Sequence, residues 1–277
     1  MGRFSRKTMY RKLWPKSIAN VVKSRSWKIY LLFWKISFIL VLRTRVIHRE
    51  INSISTELMK IHKKDTPVVL ITSSLKVSRF PLSNSSTRSV FSLSERLAQT
   101  KLSIETALQN FPSSEIFLID NSNVNETSLQ ELKLNPNVRI VSISNNISKY
   151  LSLSPYKGLG EAYITLALLG ICKDEEFNFC KLSGRYVLTP KAKDLFPIKE
   201  ILFKNLNRLS MTVFYALGTQ NTKQLWYLYL YENLWRLSRG TSIEEVFYSF
   251  THENSLRDSP KLYVEGLLSI DGRKVSL

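Results

Sequence analysis

Four short apolar runs interleaved with helix-length segments constrain this chain most. They are Pro67 to Ser73, Glu115 to Asp120, Val138 to Ile143 and Phe177 to Cys180. Runs this short, rich in Val, Ile, Leu and Phe and bounded by polar or turn residues, predict buried strands. Between the first two, Ser94 is placed to cap a helix over Glu95 to Asn110, with Leu97, Leu102, Ile104, Ala107 and Leu108 inward and Pro112 beyond its end. Before the fourth, the Ala/Leu-rich stretch Ala162 to Gly170 predicts another helix. Strands and helices alternating at these lengths imply an α/β fold with a mainly parallel sheet, flanked by helices and joined by right-handed crossovers.

In such sheets ligands gather outside the carboxyl ends of the strands, and the residues there carry chemistry. Thr72 and Ser73 end the first predicted strand, and Asp120, Asn121 and Ser122 end the second. Asp120 is equally suited to accept hydrogen bonds from a ribose or base edge and to cap the turn that follows. Two compact motifs, Lys157-Gly158-Leu159-Gly160-Glu161 and Lys181-Leu182-Ser183-Gly184-Arg185-Tyr186, border the Ala162 to Gly170 helix and the fourth strand. The first would gather a lysine and backbone N–H groups at a helix N-terminus, a setting that suits a diphosphate. The second would hold Lys181 and Arg185 near a strand end, with a turn at Gly184. The bland alternative is that the glycines shape a turn, Glu161 complements the helix dipole and the cations are solvated.

Beyond Pro190 the pattern changes. Met211 to Leu217 predicts a strand, Gln224 to Leu237 an aromatic helix, Ser242 to Phe250 a further helix, and Lys261 to Ile270 a late strand or hairpin turning at Asp271-Gly272. Trp226, Tyr227, Tyr229, Tyr231 and Trp235 serve either as core or as a sugar-stacking platform. With only Cys172 and Cys180, and with three scattered histidines, there is no disulfide framework and no metal-ligand spacing, and no cofactor is expected.

Charge is uneven along the chain. Of 40 Lys and Arg against 22 Asp and Glu, residues 1 to 49 hold 13 basic side chains and no acid, so residues 50 to 277 are nearly balanced at +5. Inside the basic stretch, Trp27 to Leu42 is apolar but interrupted by Lys28 and Lys35, and its sixteen residues fall short of the roughly twenty that a bilayer span needs. Residues 1–50 therefore read as a basic amphipathic helix lying on an anionic membrane surface, or packed on the protein's own body. The divisions expected are 1–50 for that segment, 51–65 for a connector, 66–190 for a ligand-binding α/β half and 191–277 for a second half of the same domain. The clustered charge also motivates a competing class, a basic nucleic-acid-binding protein.

The order of elements over residues 66 to 190 resembles the nucleotide-sugar domain of glycosyltransferases of the GT-A fold. The segments Arg96-Leu97-Ala98-Gln99-Thr100, Ile119-Asp120-Asn121-Ser122 and the two glycine-basic motifs resemble uncharacterised bacterial polysaccharide-type transferases. The resemblance implies a Rossmann-like sheet and transfer of a sugar from a nucleotide donor to a glycan or lipid-linked acceptor, in cell-surface polysaccharide synthesis at the cytoplasmic face of the membrane. A non-catalytic scaffold of the same fold is the other outcome. The transferase resemblance implies donor binding by Thr72, Ser73, Arg96, Asp120, Asn121, Ser122, Lys157, Gly158, Gly160, Lys181, Ser183, Gly184 and Arg185. The fold's Asp-x-Asp metal motif is replaced here by Lys181-Leu182-Ser183, so transfer is expected to be metal-independent, with Lys157, Lys181 and Arg185 meeting the diphosphate charge. A hydroxyl acceptor also needs a base, for which Glu244, Glu245 and Glu161 are the candidates. Ser242 to Glu245 is at the same time a capping-box pattern.

Overall fold

The computed structural model describes residues 46–59, 68–77, 82, 88–122, 124, 126–133, 135–142, 151, 154–206, 209–268 and 271–277. The apolar run of residues 27–42 and most of the Ser-rich stretch 78–92 lie outside these. Helix α1 (Val46–Met59) leads to β1 (Val68–Ser73), α2 (Leu93–Asn110), β2 (Glu115–Asp120), α3 (Glu126–Gln130), β3 (Val138–Ser142), α4 (Lys157–Cys172), β4 (Phe179–Ser183) and β5 (Tyr186–Leu188). After the 3-10 segment Pro190–Leu195 come β6 (Ile201–Leu202), β7 (Asn205–Leu206), β8 (Leu209–Ser210) and β9 (Phe214–Leu217). The chain closes with α5 (Gln220–Glu232), α6 (Leu234–Leu237), α7 (Ile243–Glu253), β10 (Val264–Leu267) and β11 (Lys274–Ser276).

The main sheet has the order β3-β2-β1-β4-β9-β6. Its first four strands are parallel, and β9 runs antiparallel to β4 and β6, so the sheet is mixed but mainly parallel. Every residue of β1 and β2 is buried, as strands covered by helices on both faces must be. Alternate side chains enter two cores: Val68 and Leu70 join the one built on α4, while Val69 and Ile71 join the one that takes in Ile104 and Ala107 of α2.

Helix α4 is the hub. Twelve of its sixteen residues are buried, so it is apolar nearly all round and is enclosed by other helices rather than amphipathic. On one side α1, the segment expected to be a polar connector, buries Ile51 and Leu58 in the core. Its Ser55 hydroxyl donates to the carbonyl of Ala167 at 2.7 Å, and a Cβ on Gly170 would stand 2.5 Å from that hydroxyl oxygen. The aromatic residues expected to be core or platform divide: Trp226 is fully buried among Tyr215, Phe247 and Phe250, whereas Trp235 is half exposed.

Several boundaries differ from expectation. The cap of α2 is Ser92 rather than Ser94, because Ser92 can close a capping box with Glu95, and Leu102, expected inward, is half exposed. Helix α4 begins at Lys157, so both glycines of the first motif lie inside its first turn. Strand β4 runs through Lys181-Leu182-Ser183 and turns only at Gly184, whose N–H donates to the Thr72 carbonyl at 2.9 Å. The aromatic helix starts four residues earlier and breaks at Asn233, and the strand expected from Met211 begins at Phe214. The late hairpin β10–β11 turns where Gly272 takes a positive φ of 73°.

Candidate functional site

The carboxyl ends of β2, β1 and β4 lie side by side, with Ser73 in register with Asp120 and Thr72 with Ser183. The N-terminus of α4 reaches the same edge. A Cβ at Gly160 would come 2.8 Å from Asn121 Nδ2, and one at Gly158 would come 2.9 Å from the backbone nitrogen of Ile243. The two glycines therefore allow α4 to press against the β2 edge and against the start of α7. Gly158 thereby brings Glu244, the residue after Ile243, to the side of α4 that carries Glu161.

Between these elements lies a cleft of two compartments that share Lys157, Glu161, Ser183 and Arg185. The inner one also has Thr72, Ser73, Arg96, Thr100, Asn121, Gly160 and Gly184 in its wall. Its empty space, open solvent included, is roughly 670 Å³. The outer one is wider and adds Tyr156, Gly158, Lys181, Tyr186, Thr212 and Glu244.

The inner wall is an accumulation of positive charge. Lys157 is open to the cleft yet surrounded by its walls, and lost hydration followed by the Arg185 charge depress it to about 8, against the pull of Glu161 and Glu244. Burial, then Arg185, lower Arg96 to about 10, with Asp120 opposing, and burial lowers Arg185 as well. Arg96 Nε, Arg185 Nε and Asn121 Oδ1 are buried without a hydrogen-bond partner among the described residues. Leaving such atoms unmatched costs about 1–3 kcal/mol each. Arg96 Nη1 donates to the Ser89 hydroxyl at 3.0 Å and Arg185 hydrogen-bonds Tyr186, so each guanidinium is anchored beside the cleft; three cations along one wall, with Arg185 lowering the proton affinity of the other two, favour a ligand rich in anionic oxygens.

Four expected site residues are used differently. Asp120 is fully enclosed, and its carboxylate accepts from the backbone of Leu75 at 2.8 Å and of Ser122 at 2.9 Å and from the Ser122 hydroxyl at 2.6 Å. It ties the loops after β1 and β2 together and touches no cleft space. Ser122 completes that knot by accepting from the Lys76 N–H at 2.8 Å. Lys181 is fully buried, its Nζ paired with Glu161 Oε1 at 2.5 Å and donating to the Thr212 carbonyl, so its charge is already matched inside the protein. Glu245 accepts the Ser242 N–H at 2.9 Å in the capping box of α7 and lies outside both compartments. The remaining candidates, Thr72, Ser73, Arg96, Asn121, Lys157, Gly158, Gly160, Glu161, Ser183, Gly184, Arg185 and Glu244, all border the cleft.

Sequence reasoning missed Thr100 and Thr212. Thr100 follows Arg96 by one helical turn on α2 and donates to the Gly184 carbonyl at 2.9 Å, and that i, i+4 spacing was a legible signal. Thr212 sits in a turn with no local pattern to mark it. Among the described residues no group of three or more His, Cys, Asp or Glu could hold a metal ion. At the end of β4, Lys181 and its paired Glu161 do not fit a divalent cation.

No family model matches the chain, and no curated protein sequence matches it. A solved structure titled "PaToxG Glycosyltransferase" is similar over 82% of this chain and 80% of its own, at 16% identity and a TM-score of 0.38.

Proposed function

We propose that the chain is a glycosyltransferase that moves a sugar from a nucleoside diphosphate donor to a glycan or lipid-linked acceptor, with side-chain cations facing the departing diphosphate. The observation that carries this reading is the convergence of Arg96, Lys157 and Arg185 on a compartment at the carboxyl ends of β1 and β4, which opens directly onto the carboxylates Glu161 and Glu244. In the reaction the bond between the anomeric carbon and the diphosphate oxygen breaks, and its electron pair leaves with the diphosphate. Arg185, Arg96 and Lys157 stabilise that charge, as preorganised cations do at developing oxyanions. The acceptor hydroxyl forms the new bond to the anomeric carbon and gives its proton to a carboxylate in the outer compartment.

The test is thermal stability of the full chain across inorganic pyrophosphate, the common nucleoside diphosphates and their sugar conjugates, followed by donor turnover with and without EDTA. The expected result is a rise in melting temperature with pyrophosphate, a larger rise with one nucleoside diphosphate family, and turnover that survives EDTA. A melting temperature unmoved by every one of these ligands overturns the reading. For residues 1–50 the accompanying proposal is peripheral contact with an anionic membrane; among the described residues no helix is long and apolar enough to cross one. Sedimentation with phosphatidylserine vesicles that is reversed by high salt is the expected behaviour, and salt-resistant retention overturns it.

A further inference from the structure

Lys181 poses a physical problem that the donor site leaves unsolved. It is a fully enclosed lysine on a central strand, matched by Glu161 of α4 at 2.5 Å and by the carbonyl of Thr212. Buried ion pairs are weak contributors to stability, and well-packed apolar residues usually serve a fold as well or better. A charged pair kept in the floor of a cleft therefore points to the groups around it. Thr212 supplies the link: its hydroxyl donates to Glu244 Oε1 at 3.3 Å while its carbonyl receives the Lys181 ammonium. Strand β4, helix α4, the turn before β9 and the first turn of α7 are thus tied together at one point of the outer compartment.

We propose that Glu161 and Lys181 are positioning residues for Glu244, the ion pair holding Thr212 against it and keeping a fixed carboxylate beside it, so that Glu244 is the group that takes a proton from a hydroxyl in the outer compartment. The identity of that hydroxyl as a sugar acceptor rests on the transferase reading above. Burial first, then the Glu161 charge, raise the proton affinity of Glu244, opposed by its own backbone hydrogen bond, Lys157 and Lys181. Burial also acts to raise Glu161, but Lys181, by charge and by hydrogen bond, together with Lys157 and Thr212, brings it below the usual carboxylate range. Two carboxylates in one cleft are so driven apart, one held ionised and the other made proton-avid, the division that acid–base sites require. The charged and titratable groups facing Glu244 are Lys157 and Glu161 from α4, Lys181 from β4 and Tyr186 from β5. Alone, Glu161 and Lys181 cancel; together with Thr212 they set where Glu244 points and what it can accept.

The experiment is a carboxyl titration of the full chain labelled with ¹³C at glutamate side-chain carboxyls, with Glu244→Gln identifying the Glu244 resonance. In Glu161→Gln the Glu244 midpoint is expected to fall, because the neighbouring negative charge is gone while Lys181 remains. In Lys181→Met it is expected to rise. In Glu161→Gln/Lys181→Met, which leaves no buried charge unpaired and so protects against loss of folding, it is expected to fall by less than in Glu161→Gln. A midpoint that stays put in both single variants, or that moves the same way in both, overturns the proposal. The titration needs no donor, so its failure is separate from failure of the nucleotide panel, which bears on the transferase reading alone.

Discussion

Arg185→Met isolates the charge of the inner compartment while keeping a flexible apolar stem of similar reach. In the wild type the Arg185 Nε is buried without a partner among the described residues, and the Arg185 charge lowers the proton affinity of both Arg96 and Lys157. Removing it should therefore affect the bound state far more than the free one. A bound diphosphate loses a charge-assisted contact worth about 1.5–3 kcal/mol, which corresponds to a weakening of roughly 10- to 150-fold. The free protein loses a buried Nε that nothing satisfies and a source of like-charge repulsion, against a hydrogen bond to Tyr186 and attraction to Glu161, so its melting temperature should change little. Calorimetric titration with inorganic pyrophosphate measures the first effect, and a thermal melt of the free protein measures the second. Arg185→Lys should recover only part of the affinity, since an ammonium cannot present the planar fork that engages two oxygens. Pyrophosphate affinity within twofold of wild type in Arg185→Met would show that the cation cluster does not face the ligand, and the donor site would have to be sought elsewhere.

Lys157 gives a pH signature: it is charged below about 8, so affinity for a nucleoside diphosphate should fall as pH rises through that value, and Lys157→Met should flatten this limb. Between about 8 and the ordinary lysine value of 10.5 the unfolded chain binds the extra proton, so the free protein should gain stability with pH across that window, read by urea unfolding. Asp120→Ala strands the N–H groups of Leu75 and Ser122 and should lower the unfolding free energy by about 2–4 kcal/mol in urea, a loss of folding rather than of ligand contact. Glu245→Ala should cost only about 0.5–2 kcal/mol through the lost capping box and leave donor turnover near wild type, whereas Glu244→Ala should abolish transfer without that loss of stability.

The strand–helix alternation was written locally, and the sheet followed it. Residues 115–120 form the strand their composition predicts, between the same ends, because a polar or acidic residue marks each end of an unbroken apolar run. The capping box at Ser242 was equally legible, since its two partners lie three residues apart. The boundaries that moved at Ser92 and at Ser183 did so because a nearby competitor or a neighbouring strand offered better hydrogen bonds than the local signal could reveal. The fate of each charged side chain was not local at all. Glu244 and Glu245 are adjacent in sequence, yet the helical turn between them sends one carboxylate into the cleft and the other back to its own cap. Asp120 and Lys181 both close apolar runs in the sequence, as a ligand-binding residue would, but one is claimed by the Leu75 N–H 45 residues away and the other by a carboxylate 20 residues away. From its residue types the chain determined a mainly parallel sheet with a basic crevice at its edge. Which of those charges remains turned toward a ligand depends on which partners reach it through space, and only the packing of α4 against β4 and α7 decided that.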